Sequence, residues 1–333
     1  MTHEETTQYI PVEPEVKQEI VTENASFFIF QRRAVIIANP TAGSYLYNRR
    51  QLEETMVFLR DYGWEVELKL THAIGDARFY TREAVANRFD VVIAAGGDGT
   101  INEVIQELVG SETALGVLPT GTANVWAREM GIPLDIAGAS EILTYGRTRR
   151  IDVGSVNGRY FLLMVGIGFD GEVARVVERK FLKRLGIVGY LLVSFWLSFG
   201  YDSFAVNARI GEQEIKTRAL QIVVGNTQLY GGAVKFTWQA QCDDGLLDVC
   251  IVRKRSKFRR IFIVLDFLLR RKQRSQWVSY DKSATIEVQT RKPVAIQVDG
   301  DSCGNTPATF TMAPRALKVI VPRRAPKGLF TED

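Results

Sequence analysis

The chain has 333 residues, of which 46% are hydrophobic and 24% charged, so it is long enough for two domains and has the composition of a globular protein. Its three cysteines include no CxxC pair and only two histidines accompany them, which excludes a disulfide framework and a zinc site; we expect reduced thiols in a cytoplasmic protein. The net charge of +4 is unevenly distributed, because residues 1–30 contain six Glu and one Lys. That acidic stretch lacks the apolar segment of a signal peptide, and we expect it to be a flexible tail.

Strands and helices alternate through the first half of the chain. Apolar strand patterns cover 34–38, 64–71, 91–95 and 114–118, and helical patterns lie at about 48–61, 76–87 and 101–108, with Asp76 expected to cap the second helix. This alternation predicts an α/β domain with a doubly wound, mostly parallel sheet, which we place at residues 31–149.

Three of the predicted strands end in turns rich in glycine and hydroxyl residues. These turns read NPTAGS from Asn39, GGDGT from Gly96 and PTGTAN from Pro119. The carboxyl ends of parallel strands lie at one edge of a sheet, and a glycine turn before a helix binds phosphate through its backbone N–H groups. We therefore predict a nucleotide phosphate site at this edge, where Asp98 binds Mg²⁺ directly or through water and Thr100 donates a hydroxyl. Taken alone, each turn is typical of an ordinary capped βα connection.

The second half has a different pattern. Asn157 and Gly158 join two strand-like stretches and are typical of a β-hairpin, and further strand patterns lie at 204–210, 219–224, 247–252, 285–289, 295–298 and 316–321. This pattern favours an antiparallel β-sandwich domain over residues 150–323, followed by a C-terminal tail at 324–333. The segment 166–171 matches GxGxxG, but we expect it to end a hairpin rather than to open a dinucleotide-binding unit.

Two segments of this half suggest contact with lipid. Residues 181–200 contain an apolar run of roughly sixteen residues, shorter than a membrane span requires, and a buried core helix or a surface for an acyl chain explains it equally well. Residues 253–274 hold ten Lys or Arg and one Asp around an apolar centre, the pattern of a basic amphipathic helix that binds an anionic membrane. A solvated helix face is the alternative, and nucleic acid is a weaker one that we do not expect.

Taken together, these motifs resemble the diacylglycerol kinase catalytic-domain family, especially its soluble bacterial lipid kinases, which are related to diacylglycerol and sphingosine kinases. The similarity covers about residues 33–322. The motifs, in the family's order, are NPTAG at 39–43, Thr71 before GDA at 75–77, GGDGTINEV at 96–104, PTGTAN at 119–124, Asp152 before Gly154, GIGFD at 166–170, VGN at 224–226, DDGLLDV at 243–249 and QVDGD at 297–301.

The resemblance implies an ATP-dependent lipid kinase whose active site lies in the cleft between the two domains. It implies ATP contacts at Asn39, Pro40, Thr41, Ala42, Gly43, Thr71, Gly97, Asp98, Gly99, Thr100, Ile101, Asn102, Glu103 and Thr122. A Mg²⁺ site made of one carboxylate and neighbouring backbone carbonyls falls on Gln241, Asp244 and Leu246. The general base falls on Asp301, and Asp98 is the second candidate catalytic residue.

The same resemblance implies the partners. The acceptor is the hydroxyl of a lipid such as diacylglycerol or a sphingoid base, which implies phospholipid biosynthesis, a cytoplasmic location and peripheral contact with an anionic membrane. Homodimerisation is left open.

Two positions depart from the family's pattern. The family usually has Glu directly after Val-Asp-Gly, so Asp301 is one methylene shorter, and Val125 follows GTAN where the family often has an acidic residue. Asp98, Asp244 and Asp301 would supply the metal ligand and proton acceptor that phosphoryl transfer requires, although each also lies beside a glycine as a turn-forming Asp does. Two alternatives therefore stay open: a soluble kinase related to NAD kinase or a sugar-phosphate kinase, and a catalytically weak lipid-binding regulatory protein.

Overall fold

The computed structural model describes residues 32–40, 45–179, 201–230, 234–254 and 278–331. The predicted acidic tail at 1–30, the apolar stretch at 181–200, most of the basic stretch at 253–274, and Thr41, Ala42 and Gly43 lie outside the described residues.

The first lobe is built on a parallel sheet. Its strands are β1 (Arg33–Ala38), β2 (Glu65–Leu70), β3 (Val91–Gly96) and β4 (Ala114–Pro119), in the spatial order β2-β1-β3-β4. Its helices are α1 (Tyr45–Asp61), α2 (Asp76–Ala86), α3 (Asp98–Leu108), α4 (Val125–Met130) and α5 (Ile136–Tyr145). β3 and β4 are buried along their whole length, as expected of parallel strands that are covered on both faces. The predicted α/β architecture is therefore confirmed.

The second lobe is antiparallel. Its elements are β5 (Arg147–Val156), β6 (Arg159–Phe161), β7 (Met164–Gly168), α6 (Phe169–Arg179), β8 (Phe204–Ile210), β9 (Gln213–Gly225), β10 (Leu229–Tyr230), β11 (Val234–Lys235), β12 (Leu247–Arg253), β13 (Val278–Ser283), β14 (Thr285–Thr290), β15 (Ala295–Val298), β16 (Asp301–Asn305) and β17 (Ala308–Val321). A second core of β-branched and aromatic residues fills this lobe, which confirms the predicted β-sandwich.

Strand β17 joins the two lobes. Its first half pairs with β14 and β5 in the antiparallel lobe, whereas Lys318 and Val319 also pair in parallel with Ala114 and Leu115 of β4. Both lobes consequently share one hydrogen-bonded network. The predicted domain boundary at residues 149 and 150 stays a prediction.

One local expectation is confirmed and three are corrected. The Asn157-Gly158 hairpin is confirmed, with both residues at positive φ between β5 and β6. The strand expected after this hairpin, however, is interrupted at residues 162–163 and forms two strands, β6 and β7, instead of one. Helix α2 is capped by Gly75 instead of Asp76, whose carboxylate accepts from the preceding amides of residues 72 and 73. The predicted C-terminal tail is docked over its described part, because Leu329 and Phe330 are only 2% exposed and the Cys242 amide donates to the Leu329 carbonyl at 2.9 Å.

The GxGxxG segment lies between β7 and α6. Both neighbours of β7, β9 and β15, run antiparallel to it, so no βαβ unit forms and the segment is not a dinucleotide site. Asp170, at the start of α6, is buried and accepts a hydrogen bond from Gln297 Nε2 at 2.7 Å. Burial raises the pKa of Asp170 to about 7.

We expect Asp170→Asn to make stability less dependent on pH. The pKa of Asp170 is higher in the folded than in the unfolded chain. Its contribution to the stability of the fold is therefore fully present below about pH 4 and is lost as the pH rises through 7. The variant should therefore be more stable than the wild type at pH 8, by a few kcal/mol at most, and the difference should shrink towards pH 4. Urea titrations at several pH values measure the free energy of unfolding of the variant and of the wild type. Asp61→Asn, on the surface, is the control. A difference in stability that does not change with pH would contradict the expectation.

In the ranges that the structure describes, no helix combines the length and the apolarity that a membrane span needs.

Candidate active site

A cavity of about 270 Å³ opens at the carboxyl edge of the parallel sheet. Asn39 follows β1, Thr71 follows β2, and Thr100 and Glu103 belong to α3, so four predicted nucleotide contacts line one space. Glu103 also accepts a hydrogen bond from the Gly75 amide at 3.0 Å, which fixes the start of α2 against α3. The cavity therefore lies where helix N-termini and strand ends converge, the usual position of an anion site in this class of sheet.

The GGDGT and PTGTAN turns are in direct backbone contact. A Cβ atom on Gly121 would overlap the Gly97 Cα and lie 2.8 Å from Asn124 Oδ1. Only glycine allows the two turns to approach this closely. This contact explains why glycine stands at position 121, and it places Thr122 next to the GGDGT turn.

We expect Gly121→Ala to destabilise the protein by about 1–3 kcal/mol, because the added methyl group forces the two turns apart. Gly99→Ala is the matched control, since no atom lies within 4 Å of a Cβ at that position. Thermal unfolding of both variants measures the difference. Equal melting temperatures would show that the turns separate without cost.

Asp98 connects these two turns. Its carboxylate accepts from the amides of Val125 and Trp126, each at 3.0 Å, and thereby caps α4. Burial raises the pKa of Asp98 and these amide bonds oppose the shift, while the charge of Asp301 raises it further. Each oxygen of an ionised carboxylate keeps a lone pair after one hydrogen bond. Asp98 therefore orients the PTGTAN turn, and each of its oxygens retains a lone pair.

Asp301, the predicted general base, faces the first lobe from β16. Arg159 Nη2 lies 3.6 Å from Asp301 Oδ2 and donates to Asn102 Oδ1 at 2.9 Å. The side chains of Arg159 and Asp301 are each about one third exposed, so this carboxylate is accessible to solvent. The second lobe therefore brings a carboxylate to the helix that carries the GGDGT turn.

Asp299, two residues before Asp301, accepts hydrogen bonds from the backbone between β6 and β7 and from α3. Its carboxylate accepts from the amides of Leu162, Leu163 and Met164 at 2.9–3.0 Å and from Asn102 Nδ2 at 3.1 Å. Burial raises the pKa of Asp299 to about 6, so the group is mainly ionised at neutral pH. The break between β6 and β7 follows from this arrangement, because the amides at 162–164 turn towards the carboxylate.

The residues of the predicted metal site in the second lobe are hydrogen-bonded to or ion-paired with other protein groups. Asp244 Oδ1 accepts from the Leu246 amide at 3.0 Å, and its Oδ2 lies 3.1 Å from Lys282 Nζ. Gln241 donates through Nε2 to the Phe330 carbonyl at 3.3 Å. Among the described residues no cluster of three or more His, Cys, Asp or Glu is suited to hold a metal ion.

The remaining predicted contacts in the described part of the chain lie outside the lining of this cavity. Ile101 and Asn102 are each only 3% exposed, so little of either residue is open to a nucleotide. Thr122 and Gly99 are exposed and Gly97 is half-buried. Pro40 follows Asn39 at the end of the described stretch.

Sequence reasoning did not single out Arg159, Asp299 or Lys282. Asp299 lies inside the QVDGD motif, where an Asp-Gly pair is typical of a turn, and its φ of +48° agrees with that reading. The apolar residues before it were the available signal that its side chain is buried. Arg159 and Lys282 carried no local signal, because their partners are distant in sequence.

Comparison with known proteins agrees with this geometry. A profile described as the diacylglycerol kinase catalytic domain matches residues 33–156, and one described as the YegS C-terminal NAD kinase beta sandwich-like domain matches residues 163–321. The chain is 30% identical over 305 residues to a diacylglycerol kinase of Staphylococcus epidermidis, covering 91% of this chain and 95% of that protein. It is 31% identical over 301 residues to a diacylglycerol kinase of Bacillus subtilis, covering 90% and 99%.

A solved structure shows the same fold. The crystal structure of a Bacillus anthracis protein, described as a candidate diacylglycerol kinase, superposes with a TM-score of 0.74 at 26% identity and covers 87% of this chain and 97% of that one. The catalytic-domain match and these relatives indicate a phosphotransferase that acts on a lipid alcohol. The chain belongs to the diacylglycerol kinase family.

Proposed function

We propose that this chain transfers the γ-phosphate of Mg·ATP to the hydroxyl of a lipid such as diacylglycerol or a sphingoid base. One observation supports the proposal: Asp301 of the β lobe contacts Arg159, which donates to Asn102 of α3, so an accessible carboxylate lies close to the helix at whose start we place the anion site. Phosphoryl transfer needs these two parts together, an anion site for the phosphates and a base for the attacking hydroxyl.

In this proposal the nucleotide phosphates bind at the cavity formed by Asn39, Thr71, Thr100 and Glu103. Backbone N–H groups at the start of α3 receive the phosphate charge, as helix N-termini do. Asp98 holds the PTGTAN turn in place. Mg²⁺, when bound with ATP, supplies positive charge that offsets the charge developing on the transferred group.

Asp301 accepts the proton of the lipid hydroxyl as the oxygen attacks. The oxygen–phosphorus bond forms while the bond to the leaving ADP breaks, and the proton stays on the Asp301 carboxyl until it leaves to water. Arg159 keeps Asp301 turned towards α3 before the substrate binds. Because Asp is one methylene shorter than Glu, we expect the acceptor hydroxyl to lie correspondingly closer to the β lobe or to be reached through one water.

The experiment is ADP release from Mg·ATP against a panel of lipid alcohols in mixed micelles, with NAD as a soluble acceptor and Asp301→Asn as the blank. Lipid-dependent turnover that the substitution removes would support the proposal and identify the acceptor. Turnover with NAD and not with lipids would assign the chain to a soluble kinase class. Binding of lipid or ATP without turnover would favour a regulatory protein.

We also propose that the protein acts at an anionic membrane surface from the cytoplasm. Its lipid acceptor resides in a bilayer, and outside residues 1–30 the chain carries about +9 of net charge. Co-sedimentation with vesicles of phosphatidylcholine, with and without phosphatidylglycerol, tests this. Binding that does not depend on the anionic lipid would contradict the electrostatic part of the proposal.

A further inference from the structure

The loop that resembles a metal site already holds a positive charge. Lys282 Nζ lies 3.1 Å from Asp244 Oδ2 and 3.3 Å from Asp248 Oδ2, and it donates to the Gln239 carbonyl at 2.8 Å. An ammonium group has three donors and no acceptor, and three oxygens surround this one. Lys282 is therefore hydrogen-bonded to Asp244 and to the Gln239 carbonyl and ion-paired with Asp248, so its charge lies between the two carboxylates.

The fold determines this position of Lys282. Strands β12 and β13 are antiparallel, and Lys282 lies directly opposite Asp248 in their register. The Asp248 side chain is fully buried and its other oxygen accepts from the Tyr280 hydroxyl, while Asp244 is 13% exposed. Two neighbouring carboxylates in so little contact with water repel each other, and the Lys282 charge offsets that cost.

The remaining groups of the loop do not suit Mg²⁺ in the presence of Lys282. Mg²⁺ demands near-octahedral oxygen ligands at about 2.0–2.1 Å. Asp244 uses Oδ1 for the Leu246 amide and Oδ2 for the ammonium, so an ion bound to this carboxylate would face the Lys282 charge at close range. The residues present therefore fit an ammonium group better than a divalent ion.

The loop is attached through Asp152 to the paired strands β5 and β17. The Gly245 amide donates to Asp152 Oδ2 and the Arg315 amide to Asp152 Oδ1, each at 2.6 Å. Asp152 belongs to β5 and Arg315 to β17, the strand shared by the two lobes. The Lys282 charge stabilises the loop, and through Asp152 the loop contacts the paired strands β5 and β17. We therefore expect the same charge to stabilise this pair of strands.

We propose that the Lys282 ammonium takes the place of a metal ion in the loop at 241–248, so that the β lobe is held together without a divalent cation. The proposal concerns this loop alone and is separate from Mg²⁺ that accompanies ATP. It does not depend on which lipid is phosphorylated, and its test needs no catalytic activity.

Thermal unfolding without nucleotide tests the proposal. The melting temperature of the wild type should be the same in EDTA and in millimolar MgCl₂. Lys282→Met leaves two carboxylates unpaired, and we expect its melting temperature to fall by roughly 5–10 °C. Millimolar MgCl₂ or CaCl₂ should recover part of that loss, because the ion can then enter the vacated position. Lys282→Arg keeps the charge and should stay insensitive to metal.

Lys216→Met is the matched control. Its side chain is 71% exposed and pairs with Glu214 at the surface, so neither a loss of stability nor an effect of metal is expected. Stabilisation of the wild type by MgCl₂ would overturn the proposal, and so would a Lys282→Met variant as stable as the wild type or one that no divalent ion restores. If Lys282→Met fails to fold, the comparison of the wild type in EDTA and MgCl₂ still decides.

Discussion

Asp301→Asn lowers kcat by roughly 10²- to 10⁴-fold, the usual contribution of a general base, with a much smaller change in the KM for ATP. An amide keeps the size of the side chain and removes its capacity to accept the proton. The nucleotide cavity is lined by residues of the first lobe, so its affinity should persist. Initial rates of ADP release at saturating lipid, with ATP varied, measure both constants.

Two further variants test whether the loss of activity comes from the Asp301 carboxylate itself. Asp202→Asn removes one carboxylate from an exposed position and should leave kcat unchanged. Asp301→Glu keeps the carboxylate and restores the longer side chain that the family usually has; we expect at least the wild-type rate. Because the ion pair with Arg159 is about one third exposed, its loss should cost 1 kcal/mol or less of stability. A kcat of Asp301→Asn near that of the wild type would remove Asp301 from the mechanism.

Asp299→Ala reduces the free energy of unfolding by about 3–5 kcal/mol and inactivates the enzyme. The substitution leaves three buried backbone amides and the Asn102 side chain without their acceptor, and each unpaired group costs about 1–3 kcal/mol before water or local rearrangement recovers part of it. Activity falls because Asn102 then no longer holds Arg159 beside Asp301. Urea unfolding gives the stability, and ADP release under folding conditions gives the activity.

Asp299→Asn separates the two effects. One amide oxygen can still accept from two backbone amides, whereas its NH₂ group faces the donors of Leu162 and Asn102, so we expect an intermediate loss. Asp202→Ala, at the surface, is the control for the removal of a carboxylate. If Asp299→Ala were as stable as the wild type, the four hydrogen bonds would contribute nothing, and the account of the β6–β7 break would be wrong.

The most local features of the protein were predictable from its sequence. Apolar strands such as 91–95, the glycine turns after them and the Asn157-Gly158 hairpin each depend on residues a few positions apart, so periodicity and turn chemistry were enough to predict them. The N-cap of α2 was predicted one residue too late, at Asp76 instead of Gly75, because Asp76 uses its carboxylate for the preceding amides. The docked C-terminal segment was missed, since nothing local indicates that Phe330 finds a place in the core.

The sequence by itself determined the parallel sheet, the three turns at one of its edges and the identity of the carboxylate that follows Val-Asp-Gly. Only the tertiary structure decided what each charged group does. Asn102 and Asp299 are 197 positions apart, Asp98 caps a helix 27 positions later, and Lys282 meets Asp244 across 38 positions. A buried charge is stable only with its partner, and its partner is chosen by strand register and packing, which local sequence patterns do not encode.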